Sequence, residues 1–514
     1  MWQRYTLYDV RVICHYLGVL IQYTGLAMII PFVTALVFSE WEPASRYLVS
    51  IGLALCLGSA LRMLRIESGR LNRQQAIAVT VFAWIVVASV AAVPLSLTNH
   101  YASYGDALFD SIALFTTTGL SIMSDPDHLS IADNMWRFAA AYAGGVGLIV
   151  VGMSFGLFGR VSDSSLYESE GRSDHVLPNV VETARFIALF SASAIAVASV
   201  VLAIALALHG IEPVRAALQG IWLSIAGFMT VGMTAPSTNI VYYHSTFVEL
   251  VLMVLMVMGS INFAVQAEIL RGRVGSLFRD TEIKAGIVWT AVMLVIFIFA
   301  LSASNLFSSL PDMLRTGLFN FLAAVTTTGF TKLTSNQLTS IVPSGALLVF
   351  AIAMAVGGSS GSTAGGVKLK RVAVIALSAY ETLKSVASPQ SARLVTNYHH
   401  IGRRRLGEDE VKSAMTVFIM FVLVYIVGAL VGVAYGYDAV SAVTESIAMA
   451  SNGGISTGIT TADMPALLKA VYAVEMWAGR LEYVTLLAVG IKIFVSVKPR
   501  MPERLRQWRK DRSR

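Results

Sequence analysis

The sequence predicts an all-α polytopic membrane protein. It is built from four pseudo-repeats of helix, re-entrant pore helix with filter loop, and helix, set around one pore and preceded by two extra N-terminal transmembrane helices. Three observations predict this. Apolar runs approaching or exceeding the ~20 residues that a bilayer helix needs recur along the whole chain. Basic side chains gather in some connections and are sparse in the others. One degenerate polar segment, poor in helix formers, occurs four times between the apolar runs.

The apolar runs come first because they set the class. Of 514 residues 56% are hydrophobic and only 13% charged, and the mean hydropathy of +0.68 lies outside the range of soluble domains. The runs span Val12–Phe38, Tyr47–Leu61, Ala76–Tyr104, Phe138–Gly159, Phe186–Gly210, Leu250–Gln266, Ala285–Pro311, Leu333–Val367, Ser413–Tyr437, and Tyr483–Gly490 with its flanks. The first is too long for a cleaved signal and has no small-residue cleavage site. Cys14 and Cys56, the two cysteines, both sit inside apolar runs, which argues against a disulfide framework.

The net charge of +7 invites a nucleic-acid reading, but its distribution is topological. Arg62, Arg65, Arg70 and Arg73 share one connection; Arg271, Arg273, Arg279 and Lys284 share another; Lys368 to Lys412 and the tail from Lys492 complete the set. The intervening connections carry acids such as Asp125, Asp127, Asp133 and Asp463. The positive-inside rule then puts the basic connections and both termini in the cytoplasm and the acidic loops outside. The lipid bilayer, and no nucleic acid, is the expected partner of this composition. The histidines of the loops, His100, His175, His209, His244, His399 and His400, read as solvated surface.

The repeated segment reads "TTTGLS" (116–121), "MTVGMT" (229–234), "TTTGFT" (326–331) and "SNGGIS" (451–456). In each, a glycine precedes a large apolar residue and a hydroxyl, and the glycines Gly119, Gly232, Gly329 and Gly454 stand 113, 97 and 125 residues apart. Each follows a short apolar stretch, "ALFDSIALF", "GIWLSIAGF", "GLFNFLAAV" or "AVTESIAMA". Such a stretch is too short to cross a bilayer and long enough for a re-entrant half-helix. Irregular backbone at membrane depth is tolerated only where protein or a water-filled cavity surrounds it. Four such loops about one axis offer carbonyl oxygens that replace a cation's hydration shell. The expected filter is therefore Thr117, Thr118 and Gly119; Thr230, Val231 and Gly232; Thr327, Thr328 and Gly329; and Asn452, Gly453 and Gly454. The apolar residue after each glycine is expected to wedge into surrounding helices. Asp110, Asn320 and Glu445 lie nine residues before their glycines, where hydrogen bonds would hold the short helices against neighbours.

Two further segments stand out. "GGSSGSTAGGVKLKR" (357–371) holds five glycines and four hydroxyl residues in its first ten positions, which no continuous helix would sustain. It reads as a polar intramembrane loop that could block or open a path, or as a glycine-mediated helix crossing, with Lys368, Lys370 and Arg371 marking the cytoplasmic boundary. "AGRLEYVTLL" (478–487) places Arg480 inside the membrane, where it would face the pore with Glu482 or the loop as partner, or pair structurally with Glu475 or Glu482.

With these motifs the chain resembles the Trk/Ktr/HKT superfamily of potassium transporters over residues 75–495, and its Trk-type membrane subunit most closely. The resemblance implies potassium uptake with potassium as substrate at the filter, and a gate at Gly357, Gly358, Gly361, Gly365, Gly366 and Arg480. It also implies a homodimer with cytosolic nucleotide-binding regulatory subunits, in a prokaryotic cytoplasmic membrane. Glycine at all four filter positions implies preference for potassium over sodium; "MTVG" and "SNGG" depart from common members and imply looser discrimination. The expected layout is a two-helix extension (1–74), repeats at 75–160, 180–272, 283–388 with the gating loop 357–366, and 410–497, and a basic cytoplasmic tail (498–514). No cofactor motif and no nucleotide fingerprint is present in the chain, and no enzymatic activity is expected: "GSSGST" has no histidine or aspartate nearby to activate a serine. The alternative is a sodium- or proton-coupled secondary transporter, for which Glu268, Glu475 and Glu482 are the nearest candidate carboxylates.

Overall fold

In a computed structural model, residues 4–64, 66, 71–147, 180–304, 307, 309–389, 396–400 and 402–498 are described. The expected end of the first repeat (148–160), Arg65, Arg70, His175, Arg393 and the tail from 499 lie outside the described residues.

Helix starts follow side-chain caps. Thr6 with Asp9 and Asn72 with Gln75 form capping boxes at Leu7–Ala27 and Arg73–Ser96. Ser103, Ser309 and Asp438 cap the short helices Tyr104–Phe115, Leu310–Val325 and Ala439–Ala450, and Pro213 opens the remaining one, Pro213–Phe228. In that order these four helices have 12, 16, 12 and 16 residues, well under the ~20 needed to cross.

Among the described residues six helices are long and apolar enough to cross a membrane: Leu7–Val37, Trp41–Arg62, Gln74–Ser96, Glu182–Leu208, Thr281–Ser302 and Glu408–Ala434. Their outward faces present residues such as Leu208, Val295, Phe299 and Leu430, a surface suited to lipid rather than water. The protein is a multi-pass membrane protein. Each short helix packs between the helices that flank it in sequence, and two apolar clusters fill the interior. One joins the N-terminal helices with the first two repeats; the other lies largely within the third and fourth.

The helices that follow the second and fourth loops are broken, and here the sequence expectation needs correction. Ile131–Val146 stops at Gly147 (φ 101°) and Ser344–Val356 at Gly357 (φ 71°). Thr246–Ser260 breaks at Ile261 and Asn262 and resumes as Phe263–Leu270 at 106°. The expected last span is two helices, Ala466–Arg480 and Val484–Val497, parted by Glu482 and Tyr483 at φ 57° and 59°. Asn262 caps the resumed helix through Ala264 N–H, and Gln266 Nε2 donates to the carbonyls of Met258 and Ile261, both at 2.8 Å. Side chains thus replace the helical bonds lost at that break.

After the helix Leu369–Ala387, a small hairpin pairs Asn397–His399 with Arg403–Arg405. At its turn His400 is only 1% exposed. Its expected place on a solvated surface is wrong, because the hairpin lies against the start of the helix Thr281–Leu301: His399 N–H donates to Thr281 Oγ1 at 3.0 Å, and His400 Nδ1 is 3.2 Å from Asp280.

Candidate functional site

Each short helix ends on the same backbone device. The alanine six residues before each loop glycine accepts the amide of the residue just before that glycine. Thr118 donates to Ala113 at 2.8 Å, Val231 to Ala226 at 2.9 Å, Thr328 to Ala323 at 2.8 Å and Gly453 to Ala448 at 2.7 Å. All four alanines are fully buried, and their common register is a repeat signal missed in the sequence. Thr117, Thr230, Thr327 and Asn452 take left-handed φ of 50–61°, and Gly119, Gly232, Gly329 and Gly454 take φ of 67–90°. The donors are thereby turned back onto the helix end, which leaves loop carbonyls for other partners.

The loops then meet one another in sequence order. A Cβ on Gly119 would lie 1.8 Å from the carbonyl oxygen of Val231, one on Gly232 2.0 Å from that of Thr328, and one on Gly329 2.9 Å from that of Gly453. A Cβ on Gly454 would lie 2.1 Å from that of Thr118. The fourth loop therefore returns to the first, and the ring is closed. Only glycine satisfies both the positive φ and the approach.

On one side of the ring, the hydroxyl after the glycine explains the polar residue nine positions before it in three of the loops. Asp110 accepts from Tyr101 Oη (2.9 Å), Ser121 Oγ (2.5 Å) and Ile122 N–H (2.9 Å). Asn320 Oδ1 accepts from Thr331 Oγ1 (3.2 Å) and Lys332 N–H (2.9 Å). Glu445 accepts from Ser456 Oγ (2.8 Å), from Thr457 N–H and Oγ1 (2.7 and 2.8 Å), and from N–H and Oγ1 of Thr460. These bonds tie the outgoing strand of each loop to its own short helix, rather than one helix to a neighbour as expected. The second repeat has buried Leu223 at this place, and its loop is held differently. Asn239 Nδ2 donates to Gly232 O at 3.2 Å while its Oδ1 accepts Thr331 N–H at 3.2 Å, so the second loop is fastened to the third. Of the expected wedges, Met233, Phe330 and Ile455 are buried and Leu120 is half-buried.

The other side of the ring is covered by residues 357–368, which fold as a hairpin without helix. Its ends touch: a Cβ on Gly357 would lie 2.1 Å from Gly365 O, and one on Gly366 2.8 Å from the Cα of Gly357. Gly358 packs on Ala364, and Gly361 turns the tip at φ 67° beside Asn262. Amides of Ser359 and Thr363 donate to the carbonyls of Ser260 (2.9 Å) and Gly259 (3.1 Å), the last turn of the broken helix. This excludes the helix-crossing alternative.

The hairpin and Arg480 reach all four loops. Thr363 Oγ1 is 3.2 Å from Thr230 Oγ1 and donates to Gly259 O at 2.8 Å; Gly365 N–H donates to Thr327 Oγ1 at 2.7 Å. A Cβ on Gly365 would lie 2.0 Å from Ser451 O. Arg480 Nη1 donates to Thr117 Oγ1 (3.2 Å) and Thr363 O (2.9 Å), Nη2 donates to Gly144 O (2.7 Å), and the guanidinium lies over Trp84. Its partners are thus the first loop and the hairpin. Glu482 pairs with Arg371, and Glu475 accepts from Ser446 Oγ at 3.0 Å. Lys368, expected at the cytoplasmic boundary, is buried with Nζ on the carbonyl of Ala364. With Arg480, Asn452 and Trp84 it lines a cavity of about 30 Å³ between the hairpin and the fourth repeat.

Known proteins share this fold. The family profile described as TrkH, cation transport protein, matches residues 45–496. Over 499 residues the chain is 27% identical to an uncharacterized cation transporter of Methanocaldococcus jannaschii, covering 96% of this chain and 97% of that one. Over 494 residues it is 26% identical to the Trk system potassium uptake protein TrkH of Escherichia coli, covering 94% and 99%. The crystal structure of the potassium transporter TrkH from Vibrio parahaemolyticus has the same fold, with a TM-score of 0.77 at 24% identity over 93% of this chain and 98% of that one. The family match takes in all four loops, the hairpin and Arg480: the chain belongs to the TrkH family of cation transport proteins.

Proposed function

We propose that the chain carries potassium into a prokaryotic cell across its cytoplasmic membrane. The dehydrated ion is coordinated by carbonyls of residues 117–119, 230–232, 327–329 and 452–454, then passes a gate made by Gly357, Gly358, Gly361, Gly365, Gly366 and Arg480. The closed ring of glycine-to-carbonyl contacts carries this reading: with the amides folded back onto the helix ends, oxygen atoms are the groups available to an ion. The potassium uptake proteins among its relatives support the choice of ion. Both termini are cytoplasmic, and a negative-inside potential drives uptake at about 2.3 kcal/mol per charge per 100 mV.

The arrangement described is the closed one. The hairpin fills the inner side of the ring, and the positive charge of Arg480 opposes a cation there. Opening moves the hairpin, whose two ends meet at Gly357 and Gly366. Cytosolic nucleotide-binding subunits act on it through the basic inner surface, and the working unit is a homodimer.

The test is flux into liposomes. Potassium and rubidium are expected to enter faster than sodium, and Gly329→Asp to abolish entry. Equal sodium and potassium flux, or an unaffected variant, overturns the proposal.

A further inference from the structure

Asp280, Glu282 and His400 form a buried cluster behind the hairpin, with one ligand-type atom from each lying within 4.8 Å of the others. We propose that it binds a divalent transition-metal ion of the zinc and manganese class. His400 Nδ1 stands 3.2 Å from Asp280 Oδ2 and 3.7 Å from Glu282 Oε2, and these side chains are 1–2% exposed. Donors placed 2.0–2.2 Å from a four-coordinate ion are separated by about 3.3–3.6 Å in a tetrahedron, and the two distances lie within about 0.1 Å of that range.

The second observation is how the carboxylates are held. Asp280 Oδ1 accepts the amides of Glu282 (2.8 Å) and Ile283 (3.4 Å). Glu282 Oε1 accepts those of Ser360 (2.6 Å) and Lys370 (3.1 Å). In each case backbone amides fix one oxygen and turn the other toward His400, the outer-shell arrangement that orients metal ligands. The third is space: a cavity of about 10 Å³ lined by Glu282, His400, Tyr398 and Lys370 adjoins the cluster, about enough for one water as the remaining ligand. Because Ser360 belongs to the intramembrane hairpin and His400 to the cytosolic one, the ion fastens the two together.

The test uses full-length protein in detergent, with any affinity tag removed, titrated with Co²⁺. One equivalent is expected to bind with the strong visible absorption of a four-coordinate site, and one equivalent of Zn²⁺ to displace it. His400→Gln and Asp280→Asn are expected to lose this absorption, and His399→Gln, beside the cluster, to keep it. If wild-type protein shows no displaceable absorption, or His400→Gln binds as wild type, the cluster is an ion pair alone and the proposal fails. The wild-type arm decides even if the variants do not fold. No arm depends on transport, so its failure is separate from failure of the proposed uptake.

Discussion

The carbonyl oxygen of Thr118 stands 2.1 Å from where a side chain on Gly454 would begin. These residues belong to the first and last repeats, over three hundred positions apart, and their approach closes the ring of loops.

Alanine substitutions around that ring should therefore be graded. Gly119→Ala, Gly232→Ala and Gly454→Ala place a methyl group 1.8–2.1 Å from a neighbouring carbonyl, whereas Gly329→Ala meets its nearest at 2.9 Å. All four carry the ~1–2 kcal/mol penalty of left-handed backbone; the first three add a severe clash that backbone must absorb, and Gly329→Ala a milder one. Rubidium uptake in liposomes should fall more than about tenfold for those three and less for Gly329→Ala. An equal loss at all four would count against the ring as described.

Arg480→Ala removes hydrogen bonds to Thr117, to the carbonyl of Thr363 and to that of Gly144. Passive rubidium flux should rise severalfold. Arg480→Lys should be intermediate, because an ammonium keeps the charge but lacks the planar fork. Unchanged flux in Arg480→Ala would reduce the residue to a packing strut.

Thr363→Val takes away a hydroxyl that donates to Gly259 O, and Thr327→Val removes the acceptor of Gly365 N–H. Each bond contributes about 0.5–1.5 kcal/mol. Either substitution should thus favour the open hairpin by roughly two- to tenfold, read as higher flux at constant protein abundance. If both slow transport instead, the hydroxyls serve the ion and not the closed state.

Glu445→Ala strands the five donors from Ser456, Thr457 and Thr460. Buried unpaired donors cost about 1–3 kcal/mol each, so thermal unfolding in detergent should shift clearly downward and discrimination between potassium and sodium should weaken. Glu445→Gln, which retains an acceptor and the shape, should lie much nearer wild type.

Much of this was legible in the sequence, for reasons that particular residues explain. The glycines of the four loops could be aligned because positive φ and close approach leave no substitute, and the flanking short helices because their length is fixed by the bilayer. The hairpin at 357–366 declared itself through composition. The breaks at Asn262 and Tyr483 did not, since neither stretch holds a proline or a run of glycines, and at the first the lost backbone bonds are supplied by Gln266 from within the fold. His400 could not be placed either, because its burial depends on a hairpin meeting Asp280, 120 residues away. The acids and amide before the loops were found for their spacing, yet their partners, the hydroxyls after the glycines, were already in the repeat.

Asn239 ties the second loop to the third through both ends of its amide, whereas the fourth loop meets the first through a different residue, Asn452, whose Nδ2 donates to Thr118 Oγ1 at 3.0 Å. An assembly of four identical subunits could not contain such a link once, since any side chain it carried would appear in every quadrant. Joining the quadrants in one polypeptide releases each from copying the rest. One contributes the arginine, one the folding-back hairpin, and one surrenders its own clamp to lean on its neighbour. The four loops share one backbone pattern, and the departures from it are where the chain has divided its labour.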